Sequence, residues 1–186
     1  MKRFIALLSL LTLLAGCFAM PAAAAPADTA GYAAEVLRLV NAERQKAGLA
    51  ALVSGSVALN AAAQKRAEEL VARFDHRRPG GSSCFSVLDE YGVVSAASGE
   101  NIAAGYASPE KVMAAWMKSP GHRANILGGY NRLGVGVYVK NGVVYWAQMF
   151  TLEGGASAAR VARWRTWPGW AQTLLRVFCF GWIWMK

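Results

Sequence analysis

Acidic side chains are missing from both ends of this 186-residue chain. Residues 1–27 carry Lys2 and Arg3 without an acid, and residues 154–186 carry Arg160, Arg163, Arg165, Arg176 and Lys186, again without one. Between Gly31 and Glu153 there are 13 basic and 10 acidic side chains, so only three of the nine surplus positive charges lie there. A nucleic-acid binder gathers its charge on a folded face, and this distribution argues against that class of partner. Long apolar runs are also scarce. Phe4 to Leu14 would rise only about 16 Å as a helix, against a hydrocarbon layer of roughly 30 Å. A short apolar run behind Lys2 and Arg3 is the pattern of an export signal. Cysteine is too sparse, at three residues, to set up a disulfide framework, and nothing in the spacing pairs Cys84 with Cys179.

Two processing routes follow from the signal. Leu14-Ala15-Gly16-Cys17 matches a bacterial lipoprotein box, in which the Cys17 thiol is lipidated and residues 1–17 form the lipoprotein signal. Ala25-Pro26-Ala27 offers small residues to an ordinary signal peptidase, which would leave a soluble chain from about Asp28. Either route places the protein outside the cytoplasm, free or anchored to the envelope.

What is present is a 55% hydrophobic composition, ample for a core. Residues 18–30 read as an Ala/Pro-rich linker, residues 31–152 as one domain and residues 153–186 as a basic, Trp-rich tail. Val36, Leu37 and Val40 fall on one face of a helix from about Ala33, ending near Gly48. A second helix is expected from Val57 to Arg73 with Ser56 as its cap. Its apolar stripe is Leu59, Ala62, Ala63, Ala67, Leu70, Val71 and Phe74, and Glu69 is placed to pair with Arg73. Pro, Gly and Ser make 75–84 a loop, with a short helix from Phe85 to Tyr91. Ser108-Pro109-Glu110 starts another helix, which stops at Ser119-Pro120-Gly121. Gly134–Lys140 and Val143–Thr151 read as strands joined by an Asn141-Gly142 hairpin turn. Both faces of this hairpin are largely apolar, so helices must cover each side. The expected fold class is α+β, a three-layer α-β-α sandwich.

Four ordered segments give a more specific reading: FDHRRPGGSS at 74–83, GENIAAG at 99–105, WMKSPGHRANIL at 116–127 and LGVGVYVKNGVVYWAQMF at 133–150. Together with VNAERQKAGLAAL at 40–52 they resemble the CAP superfamily (cysteine-rich secretory, antigen-five and pathogenesis-related proteins, also called SCP domains), in its minimal bacterial form. The resemblance covers about two thirds of the chain and implies the same α-β-α sandwich. It further implies a surface cleft of two histidines and two glutamates that in some relatives holds a divalent metal. Carried over, these are His76, Glu100 and His122; the second glutamate position, three residues after Trp116, is Ser119 here. The loss of that carboxylate weighs against strong metal binding and against any two-carboxylate mechanism.

Two imidazoles and a carboxylate suit zinc or a similar divalent ion, and histidine also serves as a general acid or base near neutral pH. The competing account is structural. His76 can bond a loop carbonyl, Glu100 can pair with Arg77, Arg78 or Arg123, and His122 can cap the turn after Pro120-Gly121. No nucleophile elbow surrounds Ser119 or Ser82-Ser83, and no cysteine-protease signature surrounds Cys84. Asp75 and Glu90 are the spare carboxylates. The expected function is an exported binding module, with a metal-dependent hydrolase of peptide or envelope material as the alternative. The expected partner is a protein or lipid ligand. Membrane association would run through a Cys17 lipid or through residues 160–186, which hold five of the seven tryptophans.

Overall fold

The computed structural model describes residues 28–154. The segment expected to be an export signal, Cys17 and the tail, with Cys179, lie outside the described residues. Five helices and four strands follow one another in the order α1 (Thr29–Lys46), β1 (Val53–Ser54), α2 (Val57–Glu69), α3 (Ser86–Glu90), β2 (Ser98–Ala104), α4 (Pro109–Lys118), α5 (Pro120–Ile126), β3 (Arg132–Lys140) and β4 (Val143–Thr151). The strands form one sheet in the order β1-β3-β4-β2. β1 runs parallel to β3, while β3–β4 and β4–β2 are antiparallel.

The sheet is covered on both faces. Val135, Val137, Val144, Trp146 and Phe150 pack with Val36 and Val40 of α1, Val112, Met113 and Trp116 of α4 and Ile126 of α5. On the opposite face Met149 packs with Leu59, Ala62 and Ala63 of α2 and Val87 and Leu88 of α3, and Ile102 and Ala147 pack with Ala67 and Leu70. This is the three-layer α-β-α sandwich. Trp116 and Trp146 are core residues at 1% and 0% exposure, each donating its indole N–H to a backbone carbonyl.

Local chemistry fixes most element ends. Ser56 accepts from the Leu59 amide and Ser108 from the Lys111 amide, each satisfying a free donor of the first turn. Asp28 does the same for Gly31, so α1 begins four residues before the apolar period from Ala33. Asn141 and Gly142 both have positive φ (51° and 76°), as a two-residue hairpin turn requires.

Several expectations are corrected. α2 stops at Glu69 rather than Arg73, so Val71 and Phe74 leave its stripe and are 39% and 55% exposed. Glu69 does not pair with Arg73. It receives Arg66 and Arg78, and Arg73 turns to Asp75 at 3.0 Å. Ser119-Pro120-Gly121 ends α4 but at once starts α5, because proline at the first position needs no partner for its missing N–H. The GENIAAG segment is strand β2, whose mixed composition hides a period of two.

α2 crosses β3 at backbone contact. A Cβ on Gly134 would lie 2.7 Å from the Leu59 carbonyl oxygen, and one on Gly136 would overlap the Ala63 carbonyl. Gly136→Ala must therefore push α2 off the sheet. It is expected to cost about 3 kcal/mol, the upper end for overpacking, and Gly134→Ala about half that. Urea denaturation of the two variants measures both; equal, negligible losses would contradict the close crossing.

Candidate functional site

β2 is an edge strand, and the candidate site straddles it. Odd and even residues of a strand face opposite sides. Glu100 pairs across the sheet with Met149 and faces the α2 layer, whereas Asn101 pairs with Gln148 and faces the α1–α4–α5 layer. The loop after α2 brings His76 to the first side, and the first turn of α5 brings His122 to the second.

Glu100 is 4% exposed and needs partners for both oxygens. Arg66 Nε donates to Oε2 at 2.7 Å. His76 Nδ1 lies 2.7 Å from Oε1, and since a carboxylate only accepts, Nδ1 carries the proton. The second ring nitrogen of His76, Nε2, then carries the free lone pair when the ring is neutral, on a side chain 44% exposed. Arg66 itself is fully buried. It also donates to Glu69 Oε2 at 2.9 Å and to the Asp75 carbonyl at 2.9 Å, which pins the residue before His76. Charges alternate outward from this point: Glu100, Arg66, Glu69, Arg78 and Glu90, the last contact being 2.8 Å.

His122 is held by its backbone. Asn101 Nδ2 donates to the His122 carbonyl at 3.1 Å and to Gln148 Oε1 at 2.9 Å. Asn125 Nδ2 donates to Asn101 Oδ1 and to the Glu100 carbonyl, at 2.9 and 3.0 Å. These amides lock α5 against the edge of β2. Ser119 caps α5 without a side-chain bond, and no carboxylate takes its place. Of the spare acids, Asp75 is engaged by Arg73 and the Arg77 amide, and Glu90 by Arg78.

The ring environments differ. The Glu100 hydrogen bond raises the pKa of His76 above 6.5, against the opposing effect of burial. Burial lowers the pKa of His122 below 6.5, and the charge of nearby His76 adds to the effect.

Two participants escaped sequence reasoning. Arg66 is one; the sequence signal was a charge on the apolar stripe of α2, between Ala62–Ala63 and Leu70. Cys84 is the other, 4% exposed although it sits in a loop. Ligand atoms of His76, Cys84 and Glu100 all lie within 4.8 Å of one another, and together they form a group of potential metal ligands; His122 is outside it. The Cys84 thiol, however, is pushed up to about 12, first by burial and then by Glu100, with which it hydrogen-bonds. Glu100 has both oxygens occupied, and the buried Arg66 charge stands where a second positive charge would be repelled.

Comparison with known proteins follows the same outline. The family model described as the cysteine-rich secretory protein family, CAP, matches residues 37–150. The uncharacterized protein YkwD of Bacillus subtilis (strain 168) is 40% identical over 129 residues, 68% of this chain and 49% of YkwD. The chain thus spans about half the length of that relative. An extracellular protein containing an SCP domain from Bacillus anthracis superposes with a TM-score of 0.62 at 26% identity, over 67% of this chain and 41% of that one. An outer surface protein of Borrelia burgdorferi has a TM-score of 0.62 at 18% identity, over 69% of this chain and 97% of that one.

Two outcomes test the site. In NMR titration His76 should titrate above 6.5 and His122 below it, and Glu100→Gln should bring His76 down while moving His122 little. The raised His76 contributes stability fully below 6.5 and loses it as pH rises through its folded value; the lowered His122 contributes fully above 6.5 and loses it as pH falls through its own. Their joint contribution peaks near 6.5. Separately, Arg66→Met leaves Glu100 buried without its counter-charge and should cost about 3–5 kcal/mol, much of it recovered in Arg66→Met/Glu100→Gln. Chemical denaturation of the double-mutant cycle measures the coupling.

Proposed function

The chain belongs to the cysteine-rich secretory protein (CAP) family, and on that premise we propose that it is an exported, non-enzymatic binding module whose cleft takes a divalent cation, zinc or a similar ion, on His76 Nε2 and His122. The observation that carries this reading is the 2.7 Å contact between His76 Nδ1 and Glu100. A carboxylate behind one ring nitrogen fixes the tautomer and orients the other nitrogen toward a metal. Glu100 thereby orients a ligand rather than serving as one. The lowered pKa of His122 keeps its ring neutral, as a metal ligand must be. The bound ion would supply open positions for a ligand's oxygen or nitrogen atoms.

Binding is favoured over hydrolysis by the residues at hand. Ser119 stands where relatives carry a second glutamate, Asp75 and Glu90 are engaged by arginines, and the Cys84 thiol at about 12 is no nucleophile at neutral pH. Export is supported by the N-terminal signal pattern and by the extracellular and outer-surface descriptions of the structural neighbours. No helix among the described residues is long and apolar enough to cross a membrane. Membrane association, on this reading, would run through a lipid on Cys17 or through residues 160–186.

Calorimetric titration with Zn²⁺ tests the site. The wild type should bind, His76→Ala/His122→Ala should not, and Glu100→Gln should weaken binding by about tenfold or more. Cys84→Ser should leave affinity unchanged. Equal heats from wild type and the double histidine variant would overturn the metal reading. Loss through Cys84→Ser alone would move the ion inward to His76, Cys84 and Glu100.

A further inference from the structure

One face of α5 and the end of α4 line a groove of about 520 Å³ that shares no residue with the His76–Glu100–His122 cleft. On a helix of 3.6 residues per turn, Pro120, Arg123, Ala124 and Leu127 fall within an arc of about 100°. His122, Asn125 and Ile126 fall on the remaining side. There the His122 carbonyl accepts from Asn101, Asn125 donates to the Glu100 carbonyl and Ile126 enters the core. One face of α5 is thus committed to the sheet and the other to the groove. Met117 and Lys118, from the last turn of α4, complete the lining.

The groove joins apolar surface to two exposed charges. Met117, Pro120, Ala124 and Leu127 are apolar, and Lys118 and Arg123 are exposed beside them. Each cation lies in the last turn of its helix, where the dipole favours positive charge. That accounts for their positions and leaves their charges unmatched. The sequence offers Arg123 as a partner for Glu100, but Arg66 and His76 take both oxygens of that carboxylate. All eleven acidic side chains of the chain lie from Asp28 to Glu153. Among the described residues none of them forms an ion pair with Lys118 or Arg123. Residues 1–27 and 154–186 hold no acid at all. An anion that matches these two charges has to come from outside the chain.

We propose that this groove docks an acidic segment of a partner protein. The segment lays one apolar side chain against Met117, Ala124 and Leu127 and sets carboxylates on Lys118 and Arg123. Arginine takes a carboxylate through two parallel N–H donors, and lysine is a point charge that accepts several directions of approach. The groove is of a size that small ligands occupy, so it admits a side chain rather than a folded domain. Its shape favours a peptide over a membrane. A bilayer is entered by protruding apolar side chains, whereas Met117 and Leu127 are half-buried between exposed cations. The proposal stands or falls separately from the metal reading.

The full chain is used to select phage-displayed random dodecapeptides, and the selected peptides are then measured by fluorescence anisotropy. They should be rich in Asp and Glu around a Leu, Met or aromatic residue. Lys118→Glu/Arg123→Glu should weaken their binding about tenfold or more, and so should Ala124→Glu, which adds an acid to the exposed wall of the groove. Lys65→Glu/Lys140→Glu makes the same change in net charge outside the groove and should stay within about twofold of wild type. Both basic ends are present in every variant, so attraction to them is common to all. Far-UV circular dichroism should be unchanged throughout. Selected peptides without acidic enrichment overturn the proposal, as does binding that survives Lys118→Glu/Arg123→Glu or falls equally in the Lys65→Glu/Lys140→Glu control. Anionic phospholipid vesicles that bind the wild type and are lost in Lys118→Glu/Arg123→Glu, with no peptide bound, would assign the groove to a lipid surface. A dimer in size-exclusion chromatography that the same variant splits would assign it to a second copy. Either result also overturns the proposal.

Discussion

The buried contact between Arg66 and Glu100 is the constraint from which the site's geometry follows. Neither side chain has more than 1% of its surface in water, and each would be prohibitively costly to bury alone. Together they hold the last turn of α2 to the edge strand β2. The same guanidinium binds the Asp75 carbonyl, so the loop after α2 leaves the helix in one direction, and His76 is delivered to the other oxygen of Glu100. Loop, helix and strand are thus tied at a single cation. Desolvation makes the pair weak evidence for stability, but it leaves few alternative arrangements, because any displacement strands a buried charge.

A second set of contacts solves the edge problem of the sheet. Among the described residues β2 has no neighbouring strand on its outer side, and the carbonyls of Glu100 and Ile102 take side-chain donors, Asn125 and the Trp116 indole. These donors come from α4 and α5, so closing the edge also brings His122 to the site. At the opposite edge Asn41 does the equivalent work for Leu52, the residue before β1. Arg44 completes α5 from below, donating to the carbonyls of Ile126 and Gly128 at 2.9 and 2.7 Å, where the helix dipole is negative. No carboxylate touches it among the described residues, and burial lowers its pKa.

The sandwich was legible because its signals are local. Asn141-Gly142 has one good use between two apolar runs, and Ser56 and Ser108 announce their helices by chemistry that acts over three residues. The candidate site was legible only as a set of names. His76, Glu100 and His122 could be taken from motif resemblance, but a carboxylate's partner is set by tertiary contact across 34 residues, and Arg77, Arg78 and Arg123 were nearer in sequence than Arg66 or equally basic. Cys84 lies in a segment rich in Gly and Ser, which reads as exposed loop; its burial comes from the turn of that loop, where the Cys84 amide donates to the His76 carbonyl. β2 and α5 were missed for a related reason. Their residues serve the site first and satisfy periodicity only after α4 and α5 cover the edge.

The arrangement also separates two uses of one carboxylate. Each oxygen of Glu100 already accepts a hydrogen bond, one from a permanent cation and the other from an imidazole N–H. What such a carboxylate does well is position and polarise His76, whose side chain is partly exposed. Ser119, at the junction of α4 and α5, caps α5 without a side-chain hydrogen bond. On the reading proposed above, Arg66 holds Glu100 and Glu100 in turn orients His76, so the position of that ring is set from α2 through β2.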